Sequence, residues 1–467
     1  MRQTSWSRRL REREYAHGRP VRIGLAGAGQ MGTGFVAQVR RMTGMQIAAV
    51  ADVVPGRAAA ALRTVGAGAA GATPTTDVPV VEGDDPDRLA EAIWDRQAVA
   101  VPDAGLLAAL PLDAVVDATG VPEVGAGLAI ASLLAGKDVA VLNVETDVTV
   151  GLLLAQVARA TGRVYTVCRG DEPAEAKLLV DFARDLAFEV VCAGKGKNNP
   201  HHPHATPESV AAEAASKGMN PKMLASFVDG SKTMIEMAAL ANATGLEVSR
   251  RGMTGPATTV DQLAQVFRPA ADGGVLDRAG VVDYATGPVA PGVFVVARSN
   301  EPVVIEEMAY LSMGPGPYFS FYRPYHLASI EAPLSVAEAV LDRAPSLVPE
   351  CWMAEVIALA KRPLKAGERL GGIGGDHYYG VVDSAAVAKA EGLVPIGVVA
   401  GATVTRNVPV DQPLTWDDVE LDPDSVIVSL RRLQDRLFDA PQAHAQARNG
   451  IDPALPQALS AATTHIR

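Results

Sequence analysis

Lysine is scarce in this chain, with 10 Lys beside 32 Arg, and its placement is uneven. Five of the ten lie between Lys195 and Lys232, and three of the eight histidines, His201, His202 and His204, share that window. A guanidinium stays charged at any working pH, whereas an ammonium can shift its pKa and pass a proton. Lysines kept together therefore point to proton transfer or charge stabilisation. Within Phe227–Glu236, Asp229, Lys232 and Glu236 fall at i, i+3 and i+7, one face of a helix expected over 221–243. On a cavity wall, Lys232 would give a proton to a carbonyl oxygen or steady its developing charge, with Asp229 orienting it. On a solvent face the same spacing is an ion-pair ladder.

A second set of candidates surrounds the first. Gly194 to Pro203 reads as a polar loop after a strand over 189–193. Its glycines admit close approach, and Lys195, Lys197, Asn198 and Asn199 would contact a polyol, carboxylate or phosphate. The run His201, His202, His204 reads as solvated, and no metal ligand is assigned. Glu172, with Asp171 and Glu175, follows the strand over 164–167. It would hold a substrate hydroxyl or a divalent cation (Mg or Mn), or cap a helix. Asn143 and Glu145 end the strand over 139–142 with the same two readings, cofactor or substrate contact against capping.

Gly27-Ala28-Gly29-Gln30-Met31-Gly32 follows an apolar strand and opens a helix, and Asp52 lies twenty residues beyond Gly32 at the end of the next strand. In this pattern Gly27 permits a tight turn, Gly29 lets a pyrophosphate approach the backbone, and Gly32 lets the helix pack on the sheet. The N–H groups around Gln30 and Met31 would meet phosphate, and Asp52 the ribose hydroxyls. A carboxylate there favours NAD over NADP, unless Arg57 turns back to offset it. Thr119 and Gly120 end another strand at the edge where the nicotinamide half should lie.

The elements that must position these residues alternate strand and helix through residue 167, which implies an α/β Rossmann fold, a doubly wound parallel sheet. An α+β catalytic and substrate domain and a small β-rich C-terminal domain are expected to follow. The expected boundaries are 1–165 with a basic helical N-terminal arm, 166–353, 354–440, and a mobile tail over 441–467. Composition agrees with a globular enzyme: 467 residues, 48% hydrophobic, 20% charged. The net charge of −11 excludes wholesale binding of nucleic acid or anionic lipid. Three widely spaced cysteines offer neither a disulfide framework nor a cysteine zinc site, which fits a cytoplasmic setting. The weakly polar stretch Val124 to Gly136 is too short to span a membrane. The expected partners are a small-molecule substrate and further copies of the chain in a homo-oligomer.

Longer strings carry a family resemblance: Leu142 to Gly151, Gly194 to Pro200, Phe227 to Lys232 and Tyr322-Arg323-Pro324-Tyr325-His326. Through them, most of residues 10–435 resembles the homoserine-dehydrogenase-like oxidoreductases that carry a C-terminal SAF domain. That group includes the bacterial deoxyxylulose-phosphate reductoisomerase-like enzymes. The resemblance implies NAD(P)H, a divalent cation, and hydride transfer on a phosphorylated or polyhydroxylated carbonyl or alcohol, with or without skeletal rearrangement. It also implies that Lys232 and Asp229 form the catalytic pair, although the homoserine dehydrogenases space theirs four apart and this chain three. Asn143-Val144-Glu145 replaces their Asn-Lys, which turns the reading away from homoserine. Ala360 to Leu370 and Val394 to Val419 resemble the two SAF halves. The non-enzyme alternative is a dinucleotide-binding sensor or scaffold whose SAF module recruits a ligand.

Overall fold

Runs such as Val21–Ala26 and Ala114–Asp117 are apolar with little alternation, which suits strands covered on both faces and hence a parallel sheet. The computed structural model, which describes residues 5–64 and 79–438, has that sheet. The expected tail over 441–467 and part of the Pro/Thr/Asp-rich stretch over 72–87 lie outside the described residues. Backbone contacts divide the chain into two units. The first is Met1–Asp171, Leu327–Val348 and Leu430–Arg467; the second is Glu172–His326 and Pro349–Ser429.

The first unit holds seven parallel strands: β1 (Val21–Ala26), β2 (Met45–Ala51), β3 (Val80–Glu82), β4 (Ala98–Val101), β5 (Ala114–Asp117), β6 (Asp138–Val141) and β7 (Tyr165–Val167). Their order, β3-β4-β2-β1-β5-β6-β7, is the Rossmann order with β3 added at one edge. The order in which strands are added to the sheet reverses between β1 and β5, so the ends of these two parallel strands flank the topological switch point. Leu25, Phe35 and Val36 pack on one face of the sheet, and Leu89, Ile93, Leu107 and Leu128 on the other. The N-terminal arm is a helix, Trp6–His17, that buries Leu10, while Arg13 and Arg19 pair with Asp113.

Several features of this unit were not read from the sequence. The strands β3 and β4 are only three and four residues long, too short for a periodicity to announce them. The segment Leu327–Val348, expected in the substrate domain, returns to the first unit instead. Its helix Ala328–Ala337 lies against the helix Gln30–Val39, where a Cβ on Gly34 would stand 2.6 Å from Ser329 Oγ. Near the C-terminus, Gln434 accepts from Leu153 N at 3.0 Å and donates to Thr149 O at 3.1 Å. Both acceptor and donor lie on the helix Val144–Thr161.

The second unit has a mixed sheet ordered β11-β10-β8-β9, from β8 (Glu189–Gly196), β9 (Val281–Ala285), β10 (Val293–Arg298) and β11 (Tyr318–Arg323). The helices Glu172–Asp185 and Ser231–Thr244 pack on it, and the antiparallel pair β12 (Ala354–Ala360) and β13 (Tyr378–Ser384) packs on the second of them. That helix is enclosed by strands, and every one of its residues except Lys232 is buried. The segment expected to stand as a separate module over 354–440 is thus shared: 349–429 falls in the second unit and the remainder in the first. At the start of the second SAF-like half, Ile396–Val398 forms a short 3-10 turn and not a strand. Among the described residues no helix is long and apolar enough to cross a membrane.

Helix Val144–Thr161 starts at Asn143, whose side chain accepts from Thr146 N, and 14 of its 18 residues are buried. Two of them, Glu145 and Asp147, are ionisable. Burial pushes the Asp147 carboxyl up to about 7, against the hydrogen bond that Tyr165 Oη donates to it at 3.1 Å. Its second oxygen has no partner. A carboxyl whose native pKa is raised binds its proton more tightly folded than unfolded. Its stabilising contribution is complete below the unfolded value of 3.8 and is lost as pH rises through about 7. Asp147→Asn is expected to remove that loss, on the order of a few kcal/mol at neutral pH. Urea midpoints at about pH 5 and about pH 8 check it: the native chain should weaken across the interval by more than the variant does.

Candidate active site

In the first unit, the three glycines of the turn each meet a different constraint. Gly27 has φ 90°, and a Cβ there would stand 2.7 Å from Ala118 O, so the turn presses on the end of β5. A Cβ on Gly32 would lie 1.8 Å from Gly27 O. Around Gly29 a Cβ would meet nothing within 4 Å, and this residue caps the helix Gln30–Val39. Tight turn, close helix and open ground before a helix N-terminus are what a pyrophosphate requires, so the residues fit a dinucleotide.

Asp52 stands beside this turn and helps to shape it. One carboxylate oxygen accepts from Ala28 N and the other from Val54 N, each at 2.8 Å, and Arg57 Nη1 lies 3.7 Å away. Arg57 does turn back, so the acidic charge that would reject a 2′-phosphate is partly offset. On the other side of the switch point Gly120 takes φ 63°. Thr119 and Asn143, both expected at the cofactor, have side chains engaged with Asp117. Thr119 donates to Asp117 from its hydroxyl at 2.7 Å, and Asn143 from its amide at 2.9 Å. Asn143 is fully buried and ties the ends of β5 and β6 together. Burial raises the Asp117 pKa against these donors. Asp117 was passed over as a site residue, although it closes the same strand as Thr119. Glu145 is buried in the first turn of its helix.

The second unit brings together residues that the sequence left scattered. Gly194 to Gly196 continue β8 and do not form a loop; a Cβ on Gly194 would stand 1.8 Å from Asp283 O. Lys195 therefore points from a strand and is buried, with its ammonium between two carboxylates. It bonds Glu172 Oε1 at 2.6 Å and also Glu236. Burial works against the charge, but Glu172 and Glu236 together outweigh it and hold Lys195 above its ordinary pKa. Glu236 itself is raised, by burial first and by Glu172 second. These two glutamates have oxygens within 4.8 Å of each other, and the Lys195 ammonium already bridges them. His326 Nε2 lies 3.3 Å from Glu172, and Arg323 pairs with the buried Glu175 one turn along. The string Tyr322 to His326 thus converges on the helix Glu172–Asp185.

The catalytic pair is arranged differently from the expectation. The helix over 221–243 is broken into Pro221–Val228 and Ser231–Thr244, with Asp229 and Gly230 between them and Gly230 at φ 91°. The reason is electrostatic. Asp229 is buried, accepts from Ser231 N at 2.8 Å, and forms an ion pair at 2.8 Å with Lys361, a residue the sequence reading missed. Lys361 also donates to Ala205 O at 2.6 Å and to Gly375 O at 2.7 Å, so each of its three N–H groups has an acceptor. Asp229 consequently does not frame Lys232. Lys232 remains in the first helical turn, partly exposed, where its charge lowers the pKa of Glu236. Asn198 and Asn199 follow β8, the first exposed and the second half-buried. The three histidines separate: His204 pairs with Asp411 at 2.7 Å, while the His201 ring lies over Gly230.

Residues 170–332 match the family described as Oxidoreductase DRL, catalytic domain. No curated protein matches the chain. Among solved structures, apo scyllo-inositol dehydrogenase from Lactobacillus casei is 13% identical over 70% of this chain and 90% of its own, with a TM-score of 0.39. The same enzyme with bound NAD(H) and scyllo-inositol gives 14%, 60%, 74% and 0.33. A dehydrogenase from Chromobacterium violaceum gives 18%, 40%, 47% and 0.24. The fold assignment rests on the chain's own strand order, and the catalytic-domain match with the dinucleotide turn defines the class: an NAD(P)-dependent oxidoreductase.

The Asp229–Lys361 pair carries a measurable consequence. Lys361→Met strands a buried carboxylate and two carbonyls, and is expected to lower stability by about 3–5 kcal/mol. Adding Asp229→Asn should restore part of the loss. Chemical denaturation of the two variants checks this, and equal stability of Lys361→Met and the native chain would contradict the assignment.

Proposed function

We propose that the chain transfers hydride between a nicotinamide dinucleotide and a phosphorylated or polyhydroxylated carbonyl or alcohol compound. The dinucleotide belongs to the first unit and the substrate chemistry to the second. The observation that carries this reading is the Gly27, Gly29, Gly32 turn at the switch point, in a chain with a matched oxidoreductase catalytic domain. When bound, the dinucleotide supplies or accepts the hydride. Gln30 and Met31 would present main-chain N–H groups to its phosphates, and Asp52 would keep lone pairs for a ribose hydroxyl.

In the second unit, buried Glu172 and Glu236 would accept hydrogen bonds from substrate hydroxyls, with the Lys195 ammonium bridging the two. Asn198 and Asn199 would add amide contacts. Lys232 is held by an enclosed helix, and its ammonium would stabilise the charge that develops on the substrate oxygen. The resemblance to homoserine-dehydrogenase-like enzymes guides the choice of compounds: phosphosugars, polyols and homoserine, with and without Mg²⁺ or Mn²⁺, followed by nicotinamide absorbance. Failure of every carbonyl compound to oxidise the reduced cofactor would favour a sensor or scaffold.

Two expectations follow for the cofactor and for Lys232. Asp52→Ala should weaken NAD(H) and relax discrimination against NADP(H), while Arg57→Ala should weaken NADP(H) more than NAD(H). Fluorescence titration with both cofactors checks this, and unchanged affinities would remove Asp52 from the site. Lys232→Met should leave nucleotide affinity intact and slow carbonyl reduction ~100-fold, the effect of losing about 3 kcal/mol of oxyanion stabilisation. Lys232→Arg should recover much of the rate, since charge is what the position supplies. Single-turnover oxidation of bound cofactor is the measurement.

A further inference from the structure

Three lysines are buried in the second unit, and their partners are unequal. Lys361 has three acceptors, one of them the Asp229 carboxylate. Lys195 has two carboxylates. Among the described residues Lys197 has one neutral acceptor, the carbonyl of Phe227 at 2.7 Å, and no ion pair. An ammonium carries three donors, so burial with a single carbonyl leaves the charged form poorly compensated. Lys195 lies on β8 and Lys197 just beyond its end, where Lys197 N still bonds Ala285 O at 2.8 Å, so the two side chains leave the extended backbone on one face and a permanently charged ammonium stands beside an undercompensated one.

We infer that Lys197 exchanges the proton with the substrate oxygen, and that Lys195, clamped by Glu172 and Glu236, is the positioning charge that keeps Lys197 ready to release it. The inference rests on the oxidoreductase reading. In the reducing direction the carbonyl carbon receives the hydride from the reduced cofactor and the C=O π bond breaks. The oxygen takes the proton that leaves the Lys197 ammonium, and water reprotonates the amine. Lys232 then keeps the electrostatic role alone. An ordinary lysine, near ~10.4, holds its proton too tightly for this work at neutral pH.

The charged groups around Lys197 set the direction of its pKa. Burial lowers it, the Lys195 charge lowers it further, and Asp229 and Glu236 oppose, which leaves it at about 8. Asp229 is largely neutralised by Lys361, and His201 is the remaining titratable neighbour.

The test does not need a substrate. With ten lysines in the chain, selective ¹³C/¹⁵N-lysine labelling gives a spectrum in which the Lys197 side-chain signal is identified by its loss in Lys197→Met. In the native protein that signal should titrate near pH 8. Lys195→Met should move the midpoint upward and Glu236→Gln downward, because one removes a positive neighbour and the other a negative one. If Lys195→Met does not fold, the native midpoint and Glu236→Gln decide. A native midpoint near ~10.4, or one that neither substitution moves, overturns the inference. Once a compound is turned over, the alkaline limb of the kcat profile should follow the same midpoint, and Lys197→Arg should rescue nothing. A Lys197 signal that titrates as expected, in a chain that no carbonyl compound can turn over, would defeat the oxidoreductase reading and not the lysine coupling.

Discussion

A carboxylate taken fully out of water must find a cation, and the second unit is arranged around one such demand. Asp229 and Lys361 meet in the interior with exposures of 0% and 1%. An isolated charge at that depth would be prohibitive, so their pairing dictates local geometry. The chain breaks its helix at Asp229, takes a left-handed residue at Gly230, and restarts with Ser231. The strand β12 ends where it delivers Lys361 to the pair. Residues 132 positions apart in sequence are thereby held in one unit, and the restarted helix is directed between two layers of strands.

The same accounting distinguishes the neighbouring lysines. Full compensation makes Lys361 a structural fastening. Two glutamates make Lys195 a constant charge. One carbonyl makes Lys197 labile. Sequence reading gave all members of the 195–232 cluster a common chemical flavour, whereas their environments separate them by the number and charge of acceptors within reach.

The first unit was legible because its signals are local. Glycine spacing, apolar runs and helix caps act within a few residues, and β1, β2, β5, β6 and the dinucleotide turn follow from them. The second unit was less so, because its site is assembled from distant segments. No periodicity connects Lys361 to Asp229 or Lys195 to Glu236. One signal was available: in a chain that prefers arginine, Lys361 is a retained lysine, as Lys195 and Lys197 are. Asn143 has a structural tie that spacing alone does not reveal. Its place at the end of a strand suited a cofactor contact, but its amide is taken up by Asp117 and the Val121 carbonyl.

The return of Leu327–Val348 and of the last described helix to the first unit has a consequence for synthesis on the ribosome. All seven strands of the parallel sheet have been made by Val167, but Gln434, which binds the helix Val144–Thr161, emerges much later. At about 5–20 residues per second that interval is roughly tens of seconds. During it the nascent sheet lacks two of its covering segments, so the chain matures as an interleaved whole and not domain after domain.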